Sequence, residues 1–285
     1  MVTLISRHSK YSPNSEARDE ALFRSLVMNF ALQGISIATF DEAVFEHRPP
    51  QLEKSTLILS MARSEAALHA LSAAEESGVP VLNSPRALQK AQRTDFQQWF
   101  AESGHAAKHW HISTLTPDIK AHLSFPLWWK RNNPSTTSAT DVQFVEHHAQ
   151  LEAILSEHAN EDALLMEHVE GQLIKFYGVV GTNFFHAEPH SPKGFSKFGH
   201  EQHNHHKDLA VSSPMWKQTF HAMHTAASQV ALQSGFSIYG GDAILREDGT
   251  FVFIDFNDFP SFSACLPEAS AAIVQHSLSL LAKKR

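Results

Sequence analysis

Apolar runs and helical spacings alternate along the first third of the chain. Residues 2–6, 35–40 and 56–60 are short apolar runs of strand length. Between the first two, residues 15–33 place Leu22, Leu26 and Phe30 on one helical side, and Gly34 follows as a C-cap. Residues 64–77 read as an amphipathic helix stopped by Gly78, and 79–82 as a further strand. This alternation predicts an open α/β unit with a parallel sheet up to about residue 90. Residues 86–103 read as one more helix, ended by Gly104. Beyond it the regular alternation stops. Strands are expected at 110–113 and 127–130 around a turn at Pro117, then a helix over 144–157. Strands at 164–169 and 175–180 join through Glu170-Gly171. A polar loop over 186–207, a helix over 214–233 and an amphipathic helix over 268–281 complete the pattern. Such a mixture predicts α+β subdomains in the second half.

The densest chemistry lies in a predicted hairpin. Two apolar runs flank Asp248-Gly249, a strong two-residue turn signal. With that turn, Glu247 pairs with Thr250, and counting back sets Asp242 opposite Asp255. Opposed residues have Cβ atoms roughly 4.5–5.5 Å apart, where like charges repel. Asn257 shares the face of Asp255. Two carboxylates and an amide oxygen form a hard-oxygen set for a divalent cation. Mg²⁺ characteristically combines such carboxylates with the phosphate oxygens of a nucleotide.

Composition narrows the setting. A chain of 285 residues, 42% hydrophobic and 19% charged, is expected to fold as one or two soluble compact units. No apolar run approaches the length of a membrane span, and the N-terminal residues lack the pattern of a secretory signal. The single cysteine, Cys265, excludes an internal disulfide and fits a reducing cytoplasm. A formal charge of −7 argues against a nucleic-acid partner. Twenty histidines make that charge pH-sensitive just below neutrality.

Four motifs in order resemble the ATP-grasp superfamily of ATP-dependent carboxylate–amine ligases. Gly78-Val79-Pro80-Val81-Leu82-Asn83-Ser84-Pro85 is similar to the end of that family's N-terminal domain. Phe125-Pro126-Leu127-Trp128-Trp129-Lys130 resembles the strand whose lysine contacts ATP phosphates. Leu164-Leu165-Met166-Glu167-His168-Val169-Glu170-Gly171 resembles the hinge along the adenine. Gly241-Asp242 and Ile254-Asp255-Phe256-Asn257 resemble the metal-ligand motif. The resemblance covers nearly the whole chain and is strongest to ligases of the glutathione synthetase and ribosomal-protein-glutamate ligase type. It implies an α/β domain over 1–90 and an ATP-grasp domain over 91–285. Within the latter it implies a central lid at about 108–168 and a C-terminal subdomain at about 169–285. ATP and Mg²⁺ are the implied cofactors.

The resemblance also assigns roles. Met166, Glu167 and Val169 would line the adenine, Lys130 would meet phosphate, and Lys175 would face the transferred phosphate or the substrate. Where many relatives carry an aspartate-lysine pair, this chain has Arg93-Thr94, and Arg93 would take the lysine's place. Relatives have a glycine-rich phosphate loop after the strand lysine; here residues 131–138 are polar and stiffened at Pro134. Residues 188–207 hold Lys193, Lys197, His190, His200, His203, His205 and His206. They read as a cationic loop acting during transfer, as a zinc or nickel site, or as a plain solvated loop. Ser261 and Ser263 lie where the family borders its substrate pocket. The leading expectation is a Mg-ATP-dependent ligase acting on a small-molecule carboxylate and a nucleophile. A kinase of the inositol-phosphate type and a nucleotide-binding protein with decayed catalysis are the alternatives. Edge strands and the last amphipathic helix permit a homodimer.

Overall fold

The computed structural model describes residues 1–47, 49–191, 194, 197–203 and 213–283. Its first sheet comes from the apolar runs at the start of the chain. β1 (Val2–Ile5) is buried throughout and is followed by α1 (Glu16–Leu32) and β2 (Ile37–Phe40). β3 (Leu57–Ser60), α2 (Glu65–Glu76) and β4 (Val81–Leu82) complete a parallel sheet of order β2-β1-β3-β4. Leu22, Leu26 and Phe30 of α1 bury with Val2, Leu4 and Leu57 on one face. Ala67, Leu71 and Ala74 of α2 bury with Ile5 and Ile58 on the other. With apolar layers on both faces, β1 and β3 are continuous apolar runs rather than alternating ones.

The helix expected over 86–103 is broken in two. α3 (Pro85–Lys90) ends before Ala91, and α4 (Arg93–Glu102) starts afresh behind Gln92. Gln92 and Asp95 form a capping box, each side chain taking the other's backbone N–H. That restart puts Arg93 at the first position of a helix.

The second sheet contains β5 (His109–His111), β6 (Leu127–Arg131), β7 (Val142–Val145) and β8 (Ala163–Glu167), in the antiparallel order β5-β8-β6-β7. α5 (Pro117–Ala121) replaces the expected turn at Pro117. α6 (His148–Glu157) is shorter than expected, because Phe144 and Val145 pair as strand with Trp128 and Leu127. Alternation on β6 sends Leu127 and Trp129 to the α6 side and Trp128 to the other.

The third sheet contains β9 (Gln172–Val179), β10 (Phe185–Pro189), β11 (Ile238–Leu245) and β12 (Phe251–Asp258), in the antiparallel order β10-β9-β11-β12. β10 takes up the start of the stretch expected as loop. α7 (Pro214–Ser234) packs Met223, Ala227 and Val230 against Phe176, Phe253 and Phe256, joined by Phe96 and Phe100 of α4. Leu173, Ile244 and Val252 turn the opposite way and bury with Trp128, Leu164 and Met166 of the second sheet. α8 (Leu266–Ala282) joins the first core, with Ile273 beside the α1 residues. No helix among the described residues is long and apolar enough to cross a membrane.

The β11–β12 hairpin corrects the expected turn. Arg246 donates its N–H to the Thr250 carbonyl at 2.8 Å, so the loop is Glu247-Asp248-Gly249, with Gly249 at φ +85°. Leu245 then faces Phe251 and Ala243 faces Phe253, one residue out of the expected register. A β-bulge at Ile254 restores it, and Asp242 stands opposite Asp255. Phe251, Phe253 and Phe256 all bury on the α7 side. The step from 253 to 256 spans three residues, which a strictly alternating strand cannot place on one face; the bulge absorbs the extra one.

Asn83, from the first motif, docks the parallel sheet on the third sheet. Its buried amide takes Ile238 as a neighbouring strand would, accepting its N–H at 2.8 Å and donating to its carbonyl at 2.7 Å. The carbonyl has a second partner in the Phe259 N–H at 3.0 Å. Asn83→Ala therefore orphans chiefly one buried N–H, and a loss of about 1–3 kcal/mol is expected. Urea unfolding monitored by circular dichroism should show the midpoint falling; an unchanged midpoint would mean that this docking contact contributes nothing.

Candidate active site

A row of charge crosses the third sheet on the face away from α7. Glu188 of β10, Lys175 of β9, Asp242 of β11 and Asp255 of β12 stand in register on successive strands. Lys175 Nζ lies 3.3 Å from Asp242 Oδ1 and 3.2 Å from Glu201 Oε1. Asp255 Oδ1 accepts from Arg93 Nη1 at 2.7 Å. The Asn257 amide donates to Asp255 Oδ2 at 3.4 Å, which turns its own oxygen away from that contact. From the facing sheet, Lys130 Nζ donates to the carbonyl of Ile254, the bulge residue, at 2.8 Å.

These groups meet in a cavity of about 700 Å³ between the second and third sheets, open to the carboxyl end of the parallel sheet. That volume lies in the range of small-molecule sites. Arg93, Lys130, Lys175, Asp242, Asp255 and Asn257 line it. So do Met166, Glu167 and Val169 on one flank, His200 near Trp128, and Lys197 and Ser261 toward the parallel sheet. Trp128, Leu173, Ile244 and Ile254 supply an apolar floor beside the hinge segment. Glu167 is already engaged: its Oε1 accepts the Lys108 N–H, and its own N–H donates to the Lys108 carbonyl, both at 2.9 Å.

Other expected residues do not converge. Ser263 is exposed and stands outside the cavity lining, unlike Ser261. His190 is buried off the cavity, with its N–H on the Leu173 carbonyl at 2.8 Å. His203 stacks on Phe144 with centroids 3.9 Å apart. Lys193, His205 and His206 lie outside the described residues. Among the described residues no three His, Cys, Asp or Glu side chains group as metal ligands, so the histidine metal site finds no support there.

The two opposed aspartates are pushed in opposite directions. Burial raises the Asp242 carboxyl above its ordinary value, and the Asp255 charge adds to this against the pull of Lys175. Burial acts the same way on Asp255, but Arg93 and Lys130 outweigh it and hold that carboxyl low. Burial also opposes the charge on Lys175, yet Asp242 and Glu201 prevail and its ammonium is held well above the usual value. Lys130 has no such excess of partners. Burial, and then Arg93, bring its ammonium down to about 7, against the pull of both aspartates.

The loop over 131–138, which stands in place of the glycine-rich phosphate loop of relatives, is tied down by side chains. Arg93 donates from Nε to the Arg131 carbonyl and from Nη2 to Thr136 Oγ1, each at 2.9 Å. Asp141 accepts the N–H groups of Thr137 at 2.7 Å and Ser138 at 2.9 Å. Arg93 thus bridges this loop to Asp255.

Three cavity residues had no assigned role in the sequence. Arg7 and Arg63 follow β1 and β3, and Glu201 reaches Lys175 from the 200–203 turn. The available signal for the arginines was position: a basic residue just beyond the carboxyl end of each of two adjacent parallel strands, where open α/β sheets bind ligands.

No family model and no curated protein matches the chain. Solved structures do. The D-alanine–D-alanine ligase from Bacillus anthracis complexed with ATP is 12% identical, with a TM-score of 0.66 over 99% of this chain and 98% of that one. VanG D-Ala:D-Ser ligase from Enterococcus faecalis is 13% identical, with a TM-score of 0.70 over 98% of each chain. A RimK domain ATP-grasp protein from Sphaerobacter thermophilus is 17% identical, with a TM-score of 0.66 over 98% of this chain and all of that one. The fold is ATP-grasp. At such identities the likeness is one of fold, and it extends over nearly the whole chain.

The Lys130 environment in this ATP-grasp cavity gives a pH prediction. An anion beside the ammonium favours its charged form. Above its free value of about 7, anion binding must therefore take up a proton. ADP titrated calorimetrically in metal-free buffers of different ionisation enthalpy should show uptake approaching one proton near pH 8. Affinity should fall as pH rises through the same range. Lys130→Arg, which stays charged, should abolish the uptake; equal uptake in both proteins would place the bound anion elsewhere.

Proposed function

We propose that this protein is a Mg-ATP-dependent ligase joining a carboxylate to an amine through an acyl phosphate. The observation that carries this reading is the convergence, in one cavity, of the Lys175–Asp242–Asp255 row with Lys130 of the facing sheet and the strip Met166–Val169. That the similar solved structures include D-alanine–D-alanine and D-Ala:D-Ser ligases supports it. In this reading residues 1–90 form the N-terminal domain and 91–285 the ATP-grasp domain. Residues 108–168 act as its lid and 169–285 as its C-terminal part. The protein works in the cytoplasm, where ATP is made and a buried free cysteine such as Cys265 stays reduced.

Each residue has a task that its environment suits. The backbone of Met166–Val169 offers amide and carbonyl groups to adenine above the apolar floor. Lys130 and Arg93 meet the phosphates, and Lys175 faces the one transferred. Asp242, Asp255 and Asn257 are the hard oxygen donors that would hold Mg²⁺, which supplies charge neutralisation at the phosphates when bound. A substrate carboxylate oxygen attacks the γ-phosphorus; its new bond to phosphorus forms as the bond to the ADP oxygen breaks. The amine nitrogen then attacks the acyl carbon, phosphate leaves with its oxygen, and the nitrogen loses a proton. The chain contributes positioning and electrostatics rather than covalent chemistry.

The kinase alternative is disfavoured by charge. Seven basic and six acidic side chains line the cavity among the described residues, too even a balance for a polyphosphorylated substrate. Enzyme and inert binder separate by turnover. ADP and phosphate should be released only when ATP, a carboxylate and an amine are all present. Asp255→Asn should lower that rate by about 100-fold or more, with circular dichroism unchanged. Full activity in the variant would remove Asp255 from the site, and ATP binding without turnover under any pairing would leave a nucleotide-binding protein.

A further inference from the structure

The end of the cavity beyond Asp258 holds an excess of positive charge. Arg7 and Arg63 both donate to the Met61 carbonyl, from Nε at 3.1 Å and from Nη1 at 3.0 Å, so the two guanidinium groups stand side by side. Arg7 also donates to Asp19 at 3.1 Å and to the Phe259 carbonyl at 3.0 Å. Arg63 also donates to the Ala62 carbonyl at 2.8 Å and pairs with Asp258. Each thus spends three of its five N–H groups, and both line the cavity.

Lys197 closes the group. Its Nζ donates to the Thr136 carbonyl at 2.7 Å, and its own carbonyl accepts the Asn14 amide at 3.1 Å. Among the described residues no carboxylate lies within ion-pair distance of its ammonium. Burial lowers its pKa, and Arg7 and Arg63 lower it further against the pull of Asp19 and Asp141. Of the charged groups that line this end, three are cations and two are carboxylates, Asp19 and Asp258; Asp141 and Glu42 lie outside the lining and pull on Lys197 and Arg63 from behind. A partly buried cation without a counter-ion is costly, and an anionic ligand removes that cost. The site also lies where parallel sheets bind ligands, beyond the carboxyl ends of β1 and β3, at the point where the strand order reverses.

Asp258, the partner of Arg63, is three residues along β12 from Asp255, or about 10 Å, and Lys175 stands two strands across from Asp255, so the two ends line one cavity without touching. We propose that Arg7, Arg63 and Lys197 bind a second carboxylate of the acceptor, making the substrate a small dicarboxylic acid. One carboxylate is activated beside Lys175 and the other is held at this end of the cavity. The activated end rests on the ligase reading above; the anion site does not.

The test is calorimetric titration of the full chain with succinate, glutarate and adipate against butyrate, both without nucleotide and with ADP. At least one diacid should bind about tenfold or more tightly than butyrate, weakening as salt rises. Lys197→Met breaks no ion pair with a described residue, and it should lose about tenfold of that preference at an unchanged melting temperature. Arg63→Lys, which keeps the charge but not the fork, should lose less than Lys197→Met. Equal binding of mono- and diacids in both conditions, or a full preference in Lys197→Met, overturns the inference. ADP release measured in parallel separates the two claims. Release with monoacids alone leaves a ligase without this specificity. Diacid preference with no release for any amine leaves the anion site and removes the ligase.

Discussion

One additional residue in β12 decides which side of the third sheet its acids occupy. Phe251 and Phe253 point at α7, and strict alternation would send Asp255 after them. A carboxylate among Phe176, Phe253 and Phe256 would lack the partners that a buried charge requires. The bulge at Ile254 instead returns Phe256 to that core and sends Asp255 and Asn257 to the cavity with Asp242. A bulge leaves a residue out of the ladder. Here the carbonyl of that residue is the acceptor for Lys130. The same irregularity that aims the carboxylates therefore also anchors the cation of the opposing sheet.

The charges around the bulge neutralise one another in the free protein. Arg93 sits on Asp255, Lys175 on Asp242, and Glu201 on Lys175. A phosphate entering the cavity would not meet bare cations; it would exchange places with carboxylates that already hold them. A divalent cation on the aspartates would release Arg93 and Lys175 in the same exchange, freeing both for phosphate. The net cost of binding is then the difference between two paired states rather than the burial of isolated charge. Lys130 differs, because among the described residues its hydrogen-bond partner is a neutral carbonyl. Its charge changes near neutrality, whereas that of Lys175 is held well beyond it.

How much of this was legible in the sequence depends on how local each feature is. The parallel sheet was legible because burial on both faces makes β1 and β3 plain apolar runs. The opposition of Asp242 and Asp255 was reached by assuming a two-residue turn, when a longer loop and the bulge compensate each other. The signal for the bulge was present in the spacing of Phe251, Phe253 and Phe256, which breaks period two. The split between α3 and α4 was hidden because Gln92 and Asp95 are ordinary helix-interior residues unless they cap each other. Phe144 and Val145 became strand because β6 offered them an edge, a tertiary fact absent from their own neighbourhood. Arg7 and Arg63 are far apart in sequence and meet only through the Met61 carbonyl.

The cavity is walled by the second and third sheets and by the segments that follow β1 and β3, which ties its geometry to how the three sheets are fixed to one another. Asn83 links the parallel sheet to the start of β11, and Arg7 and Arg63 link it to the end of β12. All three bonds fall within residues 238–259, next to the segment that carries the acids. Phe259 is held at φ +40° there, a left-handed conformation that is strained for a bulky side chain. Its ring is fully buried in the first core, and its carbonyl is taken by Arg7. Strain of this kind persists only where the surroundings over-determine it. The interface between the parallel sheet and the third sheet therefore holds the chain in a shape its own torsions disfavour, and that shape carries Ser261 and Asp258 to the cavity.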